Sequence, residues 1–284
     1  MEGIRLSVIG AGVMGTGVTT LALGHGVPVL LVDVDQAHLE RARARVGQQL
    51  RMAQMMGELP RGRTPGRLTT DVTLDAVAGS TAVIEAVTEL PDVKAKVLAE
   101  ASALVRAGTV VVTNTSSFPV DEMADAVARP QDLIGTHFMN PAYLIRTAEV
   151  IRGRRTGDAA LAGVRAVLTA LGRQPVVVND APGFVTSRVL HPMINDAARV
   201  VQEGTASAEA VDTLMQGCLG HRTGPLRTAD LIGIDNLVDS LWVLHERTGD
   251  EGCRPCDLLL EKVRTGHHGR KSGRGFYEYG EPLS

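Results

Sequence analysis

Ile4-Arg5-Leu6-Ser7-Val8-Ile9 runs straight into Gly10-Ala11-Gly12-Val13-Met14-Gly15. An apolar run of strand length thus meets glycines in G-x-G-x-x-G spacing, and a helical pattern, Gly12–Leu23, follows. The first glycine permits a tight turn and the second lets backbone approach a pyrophosphate. The third lets helix and strand pack closely, while the helix N-terminus offers amides and the positive end of its dipole. Val13 and Met14 lie in that first turn, so Gly10, Gly12, Val13, Met14 and Gly15 are candidate cofactor contacts. The next strand, Val27–Asp33, closes on Asp33, 23 residues after Gly10. A carboxylate there accepts both ribose hydroxyls of NAD and repels a 2′-phosphate, so NAD is expected over NADP.

The same alternation continues outward. Ala82–Val87, Thr109–Asn114, Leu133–Phe138, Glu149–Ile151 and Pro175–Asn179 read as further strands. Helical stretches His38–Gln54, Val93–Arg106 and Asp158–Leu171 separate them, and Gly57–Thr70 reads as an inserted loop. Such alternation predicts an α/β fold, a doubly wound, mostly parallel Rossmann-type sheet with helices on both faces. After Asp180 the strands cease. Helices are expected over Phe184–Gln202, Ala208–Gly217, Leu231–Arg247 and Asp257–Thr265, with Ser207 and Asp230 as N-caps. Two domains follow: residues 1–180 for the nucleotide, and residues 181–284 as an all-helical substrate and dimerisation domain.

Composition narrows the function classes. The chain has 284 residues, 44% hydrophobic and 21% charged, close to ordinary globular values rather than those of a disordered chain. A net charge of −3 supplies no basic footprint for nucleic acid. No apolar run approaches the ~20 residues of a membrane helix. Three cysteines make no closed disulfide framework, and no basic-then-apolar leader precedes the first strand, so a cytoplasmic protein is expected. Cys253-Arg254-Pro255-Cys256 with His267-His268 lacks the second C-x-x-C that a structural zinc site needs, so no metal is expected.

Two polar motifs close the next strands, at the edge where an open α/β sheet binds its ligands. Asn114-Thr115-Ser116-Ser117 ends one; His137-Phe138-Met139-Asn140-Pro141 ends the next, with Glu149 twelve residues after His137. Oxidation of a secondary alcohol by hydride transfer needs a base for the hydroxyl proton, and histidine titrates near neutrality. A carboxylate on the far ring nitrogen fixes the tautomer and stabilises the imidazolium. Serine and asparagine can position the substrate oxygen.

With these motifs in that order the chain resembles the 3-hydroxyacyl-CoA dehydrogenase family, which includes 3-hydroxybutyryl-CoA dehydrogenases. The resemblance also rests on Val83–Glu89, Asp180-Ala181-Pro182-Gly183-Phe184, Gly224-Pro225 with Asp230–Asp235, and Lys271–Tyr277, and covers nearly the whole chain. It implies His137 as general base with Glu149 as its partner, and Ser116 and Asn140 at the reacting oxygen and the nicotinamide. Glu89, Lys94 and Lys271 are implied cofactor contacts. It also implies a homodimer through the helical domain, a site in the cleft between domains, and an acyl-CoA substrate.

The sequence departs from the family at two places. Ser187 precedes Arg188 where an Asn is usual; it remains a candidate substrate contact with one donor in place of two. Gln49 and Met56 stand where Ser and Lys often meet CoA. The surrounding Arg41, Arg43, Arg45, Arg51, Arg61, Arg63 and Arg67 form a basic arm that suits CoA phosphates or an acyl carrier protein. Thr147-Ala148 before Glu149, where bulkier apolar residues are usual, suits an altered acyl end. Relatives in polyketide extender-unit pathways, acting on a carrier-bound glyceryl or similar group, supply the alternative substrate. Two other readings are weaker. A 6-phosphogluconate-type dehydrogenase would need a catalytic lysine in the second domain, which has none before Lys262; a non-catalytic relative would be expected to lose catalytic pairs, yet Ser116, His137, Asn140 and Glu149 all remain.

Overall fold

The strand–helix alternation becomes one sheet of eight strands in a computed structural model that describes residues 3–60, 62–116 and 118–280. Arg61 of the basic arm and Ser117 of the serine motif lie outside the described residues. The chain divides into two compact units, one up to Ala181 and one from Pro182.

In the first unit the strands are β1 (Leu6–Ile9), β2 (Val29–Val32), β3 (Leu68–Asp71), β4 (Ala82–Glu85), β5 (Val110–Asn114), β6 (Leu133–His137), β7 (Thr147–Arg152) and β8 (Gln174–Asn179). Their order is β3-β2-β1-β4-β5-β6-β7-β8. The pairs from β3 to β6 are parallel, β6–β7 is antiparallel and β7–β8 is parallel. Helices α1 (Val13–Gly24), α2 (Gln36–Met55), α3 (Pro91–Leu104), α4 (Val120–Met123) and α5 (Asp158–Ala170) connect them. Val-, Ile- and Leu-rich strands with both faces covered need no polar alternation: β4, β5 and β6 are buried at every position. Strand order reverses between β1 and β4, the switch point at which a crevice opens outside the strand ends.

One expectation is corrected here. Leu68–Asp71, inside or beside the stretch read as loop, is an edge strand paired with β2. Its Thr-Thr-Asp ending masks the pattern, since an edge strand needs only one partner and tolerates half-exposed polar residues.

The second unit is helical: α6 (Thr186–Gln202), α7 (Ala208–Leu219), α8 (Pro225–Ile232), α9 (Ile234–Thr248) and α10 (Asp257–Arg264). Ile194, Ala198, Leu226, Leu237, Leu241 and Leu259 close its core. Ser207 caps α7, its hydroxyl accepting from the Ala210 amide at 3.2 Å. The single helix expected from Leu231 is two, because Gly233, at φ +95°, ends α8 and begins α9. Asp230 is correspondingly no N-cap. It sits inside α8, 1% exposed, and its carboxylate accepts from the Phe276 and Tyr277 amides at 2.9 and 3.0 Å and the Tyr279 hydroxyl at 2.9 Å. Burial pushes that carboxyl up, and pushes the Tyr279 phenol up to about 12. Asp230 therefore ties the Lys271–Tyr277 motif to the helices. Among the described residues no helix is long and apolar enough to cross a membrane.

Candidate active site

The β1–α1 turn shows why each glycine is there. Gly10 has φ +103°, and a Cβ on it would meet the Ala86 carbonyl at 2.6 Å. A Cβ on Gly15 would lie 1.8 Å from the Gly10 carbonyl oxygen. Protein packing excludes side chains at both positions. At Gly12 a Cβ would meet nothing within 4 Å, so the protein's own packing does not require glycine there. Gly12 is also the N-cap of α1, with no capping side chain and no acid in the first turn. Open space at a helix start whose amides lack a side-chain acceptor suits a pyrophosphate. Val13 is exposed and Met14 half-buried beside it.

Asp33 follows β2 across the turn. Its Oδ2 accepts from the Ala11 amide at 2.7 Å and its Oδ1 from the Asp35 amide at 3.1 Å. The carboxylate is thus fixed by backbone next to the glycine turn while 14% of its side chain stays exposed. A ribose diol placed there donates to both oxygens. The residues present fit NAD.

Further along the same edge, β6 and β7 meet antiparallel with His137 directly opposite Glu149. Nδ1 of the imidazole lies 3.0 Å from Oε2, and both side chains are less than a tenth exposed. Burial strips water from the pair and strengthens their attraction. A carboxylate can only accept, so Nδ1 is the ring nitrogen that donates to it.

Asn114, at the end of β5, accepts from the Phe138 amide at 3.3 Å and so anchors the chain just after His137. Beyond it Glu89 gathers the serine loop: its Oε1 accepts from the Thr115 hydroxyl at 2.5 Å and the Ser116 amide at 3.0 Å. Asn140 is exposed after β6 and precedes a cis proline, Pro141.

Under this loop lies a cluster that motif reading overlooks. Glu85, the last residue of β4, is completely buried; it accepts from the Thr113 hydroxyl at 2.7 Å, the Val87 amide at 2.9 Å and Lys94 Nζ at 2.9 Å. Burial pushes its carboxyl up, against the pull of Lys94. Lys94 is itself wholly buried; its ammonium also donates to the Asn114 carbonyl at 2.8 Å and lies 3.3 Å from Glu89 Oε2. Lys94, expected as a cofactor contact, is thus enclosed, while its partner Glu89 keeps 37% of its side chain exposed. A signal was present in the sequence: a carboxylate inside the apolar run Val83-Ile84-Glu85-Ala86 must be paired to be there at all.

First-unit candidates thus come together along the strand ends. Ser187 lies in the first turn of α6 in the second unit. Lys271 lies there too, in a short turn after α10, its ammonium 2.5 Å from Asp235 Oδ2. Gln49 faces α1, its amide oxygen accepting from Thr20 at 2.7 Å, whereas Met56 is exposed beyond the end of α2. Cys253 and Cys256 are buried free thiols, both pushed up by burial. Among the described residues no three His, Cys, Asp or Glu side chains converge as metal ligands.

Comparison with known proteins gives this geometry its setting. Residues 5–181 match the family described as 3-hydroxyacyl-CoA dehydrogenase, NAD binding domain, and residues 183–279 its C-terminal domain. A probable 3-hydroxybutyryl-CoA dehydrogenase of Bacillus subtilis is 39% identical over the full length of both chains. The crystal structure of FadB2 of M. tuberculosis shares 36% identity at a TM-score of 0.93, over 97% of this chain and 99% of that one. That of (S)-3-hydroxybutyryl-CoA dehydrogenase from Ralstonia eutropha shares 34% at 0.89, over 98% and 99%. The chain belongs to the 3-hydroxyacyl-CoA dehydrogenase family, and is an NAD-dependent oxidoreductase acting on a CH–OH group.

Proposed function

We propose that the protein interconverts a 3-hydroxyacyl thioester and its 3-oxoacyl thioester, with a short acyl-CoA as substrate. The observation that carries this reading is the buried His137–Glu149 pair at 3.0 Å. Bound NAD supplies the hydride acceptor. His137 takes the proton of the 3-hydroxyl at Nε2 as the C–H hydride leaves, and Glu149 stabilises the imidazolium that forms. Ser116 and Asn140 hold the reacting oxygen, and Ser187 is a further proposed substrate contact. Glu89 orders the Ser116 loop and, with Lys94, is a further cofactor contact. Gly10, Gly12, Val13, Met14 and Gly15 hold the pyrophosphate and Asp33 the adenosine ribose, with Lys271 a further cofactor contact. The test is NADH formation from 3-hydroxybutyryl-CoA by wild type and His137→Ala. A loss of about 10²-fold or more in kcat with NADH affinity retained supports the base assignment; equal loss of NADH affinity refutes it.

A second reading is that the thioester is borne by an acyl carrier protein, for example as a glyceryl group. It is favoured by α2 and the segment after it. There Arg41, Arg43, Arg51, Arg63 and Arg67 are exposed around Met52, Met55 and Met56, also exposed. A basic face with soft apolar residues suits an acidic partner. One short hydroxyacyl group presented on CoA and on a carrier separates the two, since faster turnover on CoA demotes the arginines to solvated surface. The chain is further proposed to act in the cytoplasm, where its three free cysteines stay reduced, as a homodimer formed through the helical unit.

A further inference from the structure

Beside Asp33 stands a side chain that the hydride chemistry does not use. His38 is in the first turn of α2, and about half of its side chain is exposed, 54%. Its Nδ1 lies 3.4 Å from Asp33 Oδ1 and its Nε2 3.6 Å from Asp35 Oδ2. The imidazole is therefore poised between two carboxylates, one of them the ribose acceptor. Asp35 is the N-cap of α2: it accepts from the Ala37 and His38 amides, and these bonds hold it below the usual carboxylate range. Asp33 Oδ2 accepts from the Ala11 amide and Oδ1 from the Asp35 amide, and Oδ1 is the oxygen within reach of the ring. Two other charged groups lie nearby. Arg41 acts on Asp35 from the next turn of α2. Asp71 ends β3 alongside β2, its carboxylate engaged by the Thr73 amide and hydroxyl at 2.9 Å.

We propose that His38 is a specificity-determining residue at the adenosine ribose, setting how strongly the site rejects a 2′-phosphorylated dinucleotide. With the ring neutral, Asp33 presents its full negative charge to the ribose 2′ position and excludes a phosphate there. With the ring protonated, an imidazolium within ion-pair distance of Oδ1 offsets that charge and offers the phosphate a donor. Selectivity for NAD over NADP is then lower with the ring protonated than with it neutral. The inference rests on Asp33 as the ribose-binding carboxylate.

The experiment measures Kd for NADH and NADPH by nicotinamide fluorescence on cofactor-free enzyme, wild type and His38→Gln, between about pH 8.5 and about pH 5.5. A 2′-phosphate gains a proton in the same interval, with a pKa of about 6, so both proteins show some change. The difference between them is the signal. In wild type the NADPH-to-NADH ratio of Kd values is expected to fall about three- to fivefold further than in His38→Gln, the scale of one exposed ion pair. Equal pH dependence in the two proteins overturns the proposal. If wild type binds neither dinucleotide, the ribose reading of Asp33 falls and takes this one with it.

Discussion

His137 and Glu149 are register partners across the antiparallel pairing of β6 with β7, and their side chains meet at 3.0 Å inside the protein. Side chains directly opposed on an antiparallel pair start only ~5 Å apart at Cβ, so two strand positions suffice to build the dyad. Because both backbones are locked in the sheet, the histidine cannot choose another tautomer without breaking the bond. Glu149→Gln keeps the shape but offers Nδ1 an amide donor, which favours the proton on Nε2, the wrong place for a base. We expect kcat to fall by about 10²-fold or more with NADH affinity within about twofold of wild type. A variant with unchanged kcat would remove the carboxylate from the mechanism.

Asp33 accepts from the Ala11 and Asp35 amides, and the proposed cofactor site gives it the ribose as well. Asp33→Ala removes the acceptor for all of these, leaving the glycine turn less constrained and the ribose hydroxyls unpaired. NADH affinity is expected to drop about tenfold or more, the scale of lost charge-assisted hydrogen bonds, while NADPH affinity falls less or rises. Direct titration of both dinucleotides checks this, and an unaltered NADH Kd would dislodge Asp33 from the ribose.

Lys94 and Glu85 bury opposite charges under the Ser116 loop, and removing one strands the other. Lys94→Met is expected to destabilise the first unit by about 3–5 kcal/mol, the usual cost of an uncompensated buried charge. Glu85 is already pushed up by burial, and losing Lys94 pushes it further. A carboxyl with a folded-state pKa above its unfolded value binds protons preferentially in the folded state. Stability then falls as pH rises above the unfolded pKa, until the folded pKa is passed. Lys94→Met should therefore lose stability more steeply than wild type as pH rises above about 4.5, seen as Tm against pH. A parallel pair of curves would mean that Lys94 does not govern Glu85.

How far the sequence revealed all this varied with how local the signal was. β1, β4, β5 and β6 are legible because a strand buried on both faces is predominantly apolar. β3 is not, since an edge strand ending Thr69-Thr70-Asp71 carries little burial to enforce a pattern. The α8–α9 break is hidden inside Leu231–Ile234, where apolar periodicity runs through Gly233 and only its backbone angle marks the corner. Asp230 looks like a cap because caps are local, whereas its real partners lie 46 to 49 residues on. The dyad was readable from motif order, but the Glu85–Lys94–Glu89 linkage was not, because it forms only where the chain turns from β4 into α3.

The three glycines of the first turn can be told apart by what surrounds them. Gly15→Ala drives a methyl to 1.8 Å from the Gly10 carbonyl, backbone that cannot swing aside, so β1 and α1 must separate. That variant is expected to lose several kcal/mol of stability and to lose NADH binding only as a consequence. Gly12→Ala adds a methyl where nothing lies within 4 Å, so its Tm should stay within a few degrees of wild type. The same methyl projects into the space assigned to the pyrophosphate, and NADH affinity should fall by about tenfold or more. Paired measurements of Tm and NADH Kd on the two variants read this directly. A stable Gly12→Ala that binds NADH as wild type does would place the pyrophosphate elsewhere, because no other property of that position calls for glycine.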